Sequence, residues 1–278
     1  MSDKIPDAPE VKRRDINFAE RTRSKICKEI ASADNPFVAE KMLWHGYDVL
    51  ELMDKRSFVD VIFLLLKGEL PSSAQSQLFE KTLIMLANPG PRHAATRAVM
   101  NASVSKTKPA HFLAIGMALA SGEHLGAGEV HNAIKFVRRH LRKNPADVAR
   151  QRRAERSPDD SEERMAPGFG SNHGSIDTLA QDFASELFKA CPDSPAFQWA
   201  QQFCDAIGED GMGWLPTGVA AVAFVELGFT PQAGAGLYQL GASPGLLAHG
   251  IEMAGKPLHA MPFVADENYH YQGPTRDE

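Results

Sequence analysis

Residues 48–71 of the chain read DVLELMDKRSFVDVIFLLLKGELP, and this stretch decides the fold class. Apolar side chains recur in it at spacings of three and four residues, the pattern of a helix that buries one face. Gly68 and Pro71 mark its end, because both residue types terminate helices. Comparable patterns recur at 72–91, 94–104, 111–120, 130–143, 175–190, 195–207, 218–229 and 244–254. No alternating strand-like segments joined by Asn-Gly or Asp-Gly turns occur, so the sequence predicts an all-α fold.

The composition argues against several classes of function. The 278 residues carry 30 basic and 35 acidic side chains, a net charge of −5 that gives no electrostatic case for binding nucleic acid or an anionic membrane. The longest apolar run, at 59–70, is too short to span a bilayer, and the polar N-terminus lacks the apolar segment of a secretory signal. Three widely spaced cysteines indicate neither a disulfide framework nor a zinc site. We therefore predict a cytoplasmic protein without a bound metal.

Residues 142–164 differ in composition from their surroundings. Of these 23 residues 13 are charged and none is aromatic, so the segment is predicted to contribute nothing to a core. It is either an exposed helix of mixed charge or a mobile linker between two apolar halves. The first eleven or so residues are predicted to form a loose tail.

Two glycine-rich turns carry histidines, and glycine lets the backbone approach a ligand closely. The first, at 120–133, reads ASGEHLGAGEVHNA and offers His124 or Glu129 as a proton donor or acceptor at a helix start. The alternative is a tight turn between helices whose glycines permit close packing. The second, at 165–181, reads MAPGFGSNHGSIDTLAQ. Its polar residues surround a ligand, or Ser175 or Asp177 simply caps the next helix.

The other histidines call for less comment. His249 lies on an otherwise apolar predicted helix, where it serves either as a ligand-binding group or as a hydrogen-bonded core residue. A structural or solvated role is predicted for His93, His111, His131 and His140.

Taken together, these segments resemble the citrate synthase superfamily, particularly its short form, which includes citryl-CoA lyase and the C-terminal part of ATP-citrate lyase. Residues 45–75, HGYDVLELMDKRSFVDVIFLLLKGELPSSAQ, resemble that family's RGYPIEELA…SFEEVAYLLLxGELP region. Further matches are SGEHLGAGEV (121–130) to GPLHGGAN and PGFGSNHGSIDTLA (167–180) to PGFGHRxxxxDPRA. GMGWLPTGVAAVAFVELGF (211–229) is similar to the family's Asn-Val-Asp helix, and SPGLLAHGIE (243–252) to xxGWLAHxxE. The resemblance covers roughly Ile30 to Pro274.

The resemblance implies a helical fold of two domains and an obligate homodimer. The large domain is expected at 1–128 plus 241–278, and the small domain at 129–240 with the charged segment 142–164 inside it. The apolar patterns at 111–120 and 218–229 are expected at the dimer interface or as central core helices.

The resemblance also implies that the family's catalytic residues are replaced. The family uses two histidines and an aspartate to remove a proton beside a thioester carbonyl and to stabilise the resulting enolate. Leu125, Ser171 and Thr217 stand at those three positions. Asn172, Leu179 and Ala242 stand where the family has arginines that hold carboxylates or phosphates. Standard citrate synthase activity is therefore not expected.

Two functions remain open. The first is an enzyme, a lyase or acyltransferase that makes or breaks a carbon–carbon bond beside a CoA thioester, with a carbonyl partner less anionic than oxaloacetate. The second is a catalytically inactive relative that binds a ligand or pairs with an active one. The thioester is the expected substrate, and no cofactor is expected to be permanently bound. The arginines near Arg150 face the CoA phosphates or, as we favour, solvent. The predicted catalytic residues are His124, His173 and His249, and the predicted substrate-binding residues are Gly168, Phe169, Gly170, Ser171, Asn172, Asp177 and Thr217.

Overall fold

The computed structural model describes residues 21–156 and 163–274. The chain divides after Arg56 into two compact units. The predicted N-terminal tail lies outside the described residues. The division into a large domain at 1–128 plus 241–278 and a small domain at 129–240 stays a prediction.

The first unit contains a small antiparallel sheet in the order β1-β2-β3. Its elements are strands β1 (Cys27–Ala31), β2 (Ala39–Trp44) and β3 (Tyr47–Asp48) and helix α1 (Val49–Lys55). His45 and Gly46, with φ of 48° and 92°, make the tight turn between β2 and β3. The sequence analysis did not predict this sheet, because most of its strand residues are exposed and give no alternating apolar pattern.

The second unit is built mainly of helices, so the predicted helical fold is confirmed. It also contains one small sheet, and neither this sheet nor the one in the first unit was predicted from the sequence. The helices are α2 (Phe58–Lys67), α3 (Ser73–Leu86), α4 (Ala94–Val104), α5 (Phe112–Leu119), α6 (Ala127–His140), α7 (Pro145–Glu155), α8 (Thr178–Ala190), α9 (Pro195–Ile207), α10 (Pro216–Glu226) and α11 (Pro231–Met253). The second sheet joins β4 (Arg164–Ala166), β5 (Phe169–Gly170) and β6 (Gly213–Trp214) in that order. In the described part of the chain, no helix is long and apolar enough to cross a membrane.

The stretch that predicts the fold class forms two helices rather than one. Ser57 interrupts it: its hydroxyl accepts the backbone N–H of Asp60, and the Asp60 carboxylate accepts the backbone N–H of Ser57. This reciprocal capping starts α2 afresh, although the apolar spacing runs across the break. Gly68 ends α2 in the left-handed conformation, as its position in the sequence predicts.

Helix α11 continues through Pro244, where the sequence analysis expected a helix to begin. A proline inside a helix leaves the carbonyl four residues earlier without its usual partner. Here that carbonyl belongs to Leu240, and the Ser243 hydroxyl donates to it at 2.6 Å. The next N–H, that of Gly245, donates to the Ala87 carbonyl at 2.7 Å. These two bonds explain why the proline is tolerated.

Helix α10 lies in the centre of the main core. Residues 217–224 are all buried, and the helix packs on α3, α6, α8 and α9. This burial within the chain's own core favours the core alternative for the predicted helix at 218–229. A smaller cluster forms where α4, α5 and α11 meet, around Val99, Phe112 and Leu246.

The charged segment 142–164 is partly ordered as helix α7, which packs on α9. Val148 and Ala149 on this helix are buried in the main core. The prediction that the segment contributes nothing to a core is therefore wrong for these two residues. Its remaining face is polar, and residues 157–162 lie outside the described part of the chain.

Candidate active site

The site is organised around Glu129, in the first turn of α6. Its side chain is 3% exposed, and its two carboxylate oxygens accept four hydrogen bonds from three separate segments. One oxygen accepts Arg164 Nε at 2.9 Å and the Gly168 N–H at 3.3 Å. The other accepts the Leu125 N–H at 2.8 Å and the Thr217 hydroxyl at 2.9 Å. A buried carboxylate needs this many donors to offset the loss of water.

Leu125 is held in the left-handed conformation, with φ of 50°. A leucine adopts it only where the surroundings compensate for the strain. The Leu125 N–H is bound to Glu129, and the Leu125 carbonyl accepts the Tyr238 hydroxyl at 2.6 Å and His93 Nε2 at 3.0 Å. Both backbone polar groups of Leu125, its N–H and its carbonyl, are therefore hydrogen-bonded, which fixes the backbone beside His124.

The two side chains that hold the Leu125 carbonyl are both proton donors. Burial, together with the charge of Glu129, raises the pKa of Tyr238 far above its ordinary value, so the phenol keeps its proton. His93 caps α4: its Nδ1 accepts the Ala95 N–H at 3.2 Å, so the proton is on Nε2. His93 thus has a structural role, as the sequence analysis predicts.

His173 sits at the tip of a two-residue hairpin turn. Asn172 and Ser175 exchange both backbone hydrogen bonds, at 2.7 and 3.2 Å. His173 and Gly174, with φ of 52° and 77°, are the two central residues, as a type I′ turn requires. The Glu163 carboxylate accepts the Gly174 N–H at 2.8 Å. This bond and one from the Ser171 hydroxyl hold the pKa of Glu163 below its ordinary value.

Two adjoining cavities lie beside these turns. The larger, of about 430 Å³, is lined by His124, Arg164, Ser171, Asn172 and His173, together with Leu125 and Glu163. The smaller, of about 230 Å³, is lined by Glu129, Arg152, Arg156 and other polar residues. His124 and Arg164 line both, so the cavities meet at these two side chains. The structure therefore brings together two of the three histidines that the sequence analysis selected.

Gly168 and Gly170, the two glycines predicted to bind substrate, allow close packing of the backbone. Gly168 and Gly218 place their backbones in contact, and a Cβ on Gly218 would lie 2.0 Å from the Gly168 carbonyl oxygen. A Cβ on Gly170 would lie 2.2 Å from the Glu163 carbonyl oxygen. Phe169, between the two loop glycines, is buried against Phe203. These residues shape the loop without lining either cavity.

The remaining predicted site residues lie as follows. Ser171 and Asn172 line the larger cavity. Asp177 caps α8 by accepting the Ala180 N–H at 2.9 Å, which is the helix-cap alternative of the sequence analysis. Thr217 is fully buried with its hydroxyl on Glu129. His249 lies on α11 with Nε2 3.1 Å from the Asn88 side-chain oxygen and lines neither cavity, so its predicted catalytic role has no support from the cavities.

Arg152, Arg156 and Arg164 are among the cavity residues that were not predicted from the sequence. Solvent was the favoured surrounding for the arginines of the charged segment, whereas these three line the smaller cavity. The sequence does contain a signal that Arg164 is partly buried, because it directly precedes the apolar residues Met165 and Ala166 at the start of the glycine-rich loop. Among the residues that the structure describes, no cluster of histidine, cysteine, aspartate and glutamate could hold a metal ion.

Comparison with known proteins identifies the class to which this fold and site belong. The family model for the C-terminal domain of citrate synthase matches residues 21–170, more than half of the chain. The chain therefore belongs to the citrate synthase family. No curated protein matches it by sequence comparison.

Solved structures of this family share the fold. Citryl-CoA lyase from Hydrogenobacter thermophilus superposes with a TM-score of 0.76 at 21% identity, over 92% of this chain and 96% of that one. ATP citrate lyase from Methanothrix soehngenii, in complex with citrate and coenzyme A, gives 0.73 at 19%, over 97% of this chain and 46% of that one. Citrate synthase from Thermoplasma acidophilum, with carboxymethyl coenzyme A and oxaloacetate, gives 0.61 at 20%, over 80% and 58%. At these identities the likeness establishes the fold alone.

Proposed function

We propose that this protein acts on a CoA thioester and makes or breaks a carbon–carbon bond beside the thioester carbonyl. The observation that carries the proposal is that His124 and His173 line one cavity from two turns with fixed backbones. Two of the structural neighbours were solved with coenzyme A or a derivative of it, which supports the same class of substrate.

The two histidines supply the groups that this chemistry needs. One neutral imidazole accepts the proton from the carbon next to the thioester carbonyl, and the electron pair moves to the carbonyl oxygen. The other imidazole donates an N–H to that oxygen and stabilises the enolate. The enolate carbon then attacks the carbonyl carbon of the partner molecule, the C=O electron pair moves to the partner's oxygen, and the imidazolium formed in the first step gives its proton to that oxygen. Cleavage is the reverse sequence. Thr217 cannot take the place of the family's aspartate, because it is buried and its hydroxyl is bound to Glu129, so we assign the proton acceptor to a histidine of the larger cavity.

The arginines of the smaller cavity are suited to the anionic part of the substrate. Guanidinium groups bind phosphate oxygens through paired hydrogen bonds. Arg152 is bound to Glu155 and Arg164 to Glu129, so the cavity is of mixed charge rather than simply cationic. We infer that the CoA phosphates lie toward Arg152 and Arg156 and the acyl group toward the histidines. A carbonyl partner less anionic than oxaloacetate then occupies the larger cavity.

A second function is favoured by the hydrogen bonding at the positions of the family's catalytic residues. Leu125 has all its backbone polar groups bound, Thr217 is buried and bonded to Glu129, and the Ser171 hydroxyl is bonded to Glu163. None of these three offers a group for proton transfer. A catalytically inactive relative that binds a ligand or pairs with an active member fits this arrangement.

Calorimetry with CoA, acetyl-CoA and a panel of small acyl-CoAs separates these functions. Binding, followed by loss of turnover in His124→Ala and His173→Ala, supports the enzyme. Binding without turnover supports the inactive relative. The exposed residue His259 supplies the control His259→Ala, and His249→Ala tests the remaining predicted histidine. If no ligand binds at about millimolar concentration, roughly −4 kcal/mol, the thioester proposal is wrong.

We also propose that the protein is a cytoplasmic homodimer, as the family resemblance implies. Large apolar side chains after α11 support a partner, since Leu258, Phe263 and Val264 are 69%, 92% and 59% exposed. Sedimentation at several concentrations tests the dimer, and a monomer at all of them would contradict it.

A further inference from the structure

We propose that Glu129 is the positioning residue that sets the separation between His124 and His173. Its carboxylate bonds the Leu125 N–H beside His124 and, through Arg164, is connected to the Ser171 carbonyl at the start of the His173 turn. The inference deepens the proposed function, but only its ligand-binding arm rests on that function.

The first line of contacts leads to His124. Oε2 of Glu129 holds the Leu125 N–H at 2.8 Å, and the left-handed φ of Leu125 places the preceding peptide. His124 is attached directly to this peptide, so its side chain moves with the Leu125 backbone. Tyr238 fixes the other side of Leu125 through the carbonyl.

The second line of contacts leads to His173. Oε1 of Glu129 holds Arg164 Nε at 2.9 Å, and the same guanidinium donates to the Ser171 carbonyl at 3.0 Å. Ser171 is two residues before His173 and enters the hairpin turn that carries it. The Ser171 N–H also bonds the Glu163 carbonyl at 2.8 Å, which ties the turn to the strand of Arg164.

The four hydrogen bonds that the Glu129 carboxylate accepts argue against this residue as the acceptor of a proton from the substrate. Each carboxylate oxygen has two favourable acceptor directions, and each already accepts two donors. A proton taken from a substrate would displace one of these bonds. Glu129 therefore acts through the residues it holds, and not on the reacting atoms.

The experiment records the ring signals of ¹⁵N-labelled histidines in Glu129→Gln, which keeps the side chain's size. The neutral amide cannot form the ion pair with Arg164. Its NH₂ group is itself a hydrogen-bond donor and would face two of the donors that a carboxylate oxygen now accepts. We expect the His124 and His173 signals to move together while the signal of the exposed His259 changes less, and acyl-CoA binding to weaken at least tenfold. The buried Ser103, bonded to the Gly250 carbonyl far along the chain, supplies the control Ser103→Ala, which destabilises without touching the turns.

Two milder variants keep the test decisive if Glu129→Gln does not fold. Arg164→Gln breaks only the second line of contacts and should move the His173 signal more than that of His124. Tyr238→Phe touches only the first line and should move the His124 signal more than that of His173. Equal movement of both signals in these variants, or unmoved histidines in a folded Glu129→Gln, would overturn the proposal. If the wild type binds no acyl-CoA, the proposed function fails, while the histidine signals still decide the role of Glu129.

Discussion

The two turns that carry the candidate histidines are held by different means. The turn of His124 depends on side chains from α4, α6 and α11, because His93, Glu129 and Tyr238 all bond to the Leu125 peptide. The turn of His173 depends mainly on bonds within residues 171–177 and on the nearby Glu163. The first turn is therefore as stable as the assembled core around it, whereas the second is stabilised locally.

The largest effect is expected from Glu129→Ala. Removing one partner of a buried ion pair leaves Arg164 uncompensated and four donors without an acceptor, so the free energy of unfolding should fall by about 3–5 kcal/mol. Urea denaturation measures it. Glu186→Ala is the matched control, because this carboxylate pairs with Lys81 and Lys189 at the surface, where solvent screens the pairs, and its loss should cost far less than that of Glu129. Similar losses in both variants would show that the four bonds to Glu129 add no stability.

A smaller effect is expected from Tyr238→Phe. It removes one donor from the Leu125 carbonyl but leaves His93 in place, so the loss should be about 1 kcal/mol. We expect amide exchange at Leu125 to quicken while exchange at Ser175 stays as in the wild type. Faster exchange at both turns would mean that they are not held independently.

The turn of His173 should tolerate change at its tip. His173→Asn creates the Asn-Gly pair that type I′ turns favour, so stability should rise slightly. Under the proposed function, turnover of an acyl-CoA should nevertheless fall by about 10²–10⁴-fold, because an amide cannot replace an imidazole in proton transfer. Thermal melting and a turnover assay on one sample test both parts, and unchanged turnover would remove His173 from the mechanism.

The smallest effect concerns pH. The pKa of Glu163 is lowered in the folded protein below its ordinary value of 4.5. Its contribution to the turn is therefore present above about pH 4.5 and is lost as the pH falls through the lowered pKa. The Gly174 amide signal should shift in this acid range, and Glu163→Gln should abolish the shift. A shift that persists in the variant would have another origin.

The same contrast explains how much of the molecule the sequence could predict. The existence of the helices followed from the apolar spacing, and the structure adds local caps such as Ser72, whose side chain caps α3. The break at Ser57 was missed, because the apolar period runs on through it. The His173 turn consists of neighbouring residues, and both its histidine and its Asp177 cap were recognised as candidates.

The His124 turn could be predicted only in part. His124 and Glu129 stood out because of the glycines around them, but Tyr238 lies 113 residues from Leu125 and no local pattern connects them. Arg164 was discounted because it ends a 23-residue segment in which 13 residues are charged. Its pairing with a buried carboxylate on α6 depends on tertiary structure that local propensity does not encode.

The packing of helix α11 has a consequence for local unfolding of the protein. Pro244 removes one bond of its backbone ladder, and the Gly245 N–H is used to bind α3's end. The half that carries Tyr238 packs in the main core, and the half that carries Leu246 packs in the smaller cluster. The helix thus contributes to two hydrophobic clusters of one unit, and we expect native-state hydrogen exchange to find two levels of protection within it. The tyrosine that holds the His124 turn belongs to the main core, which also contains α10.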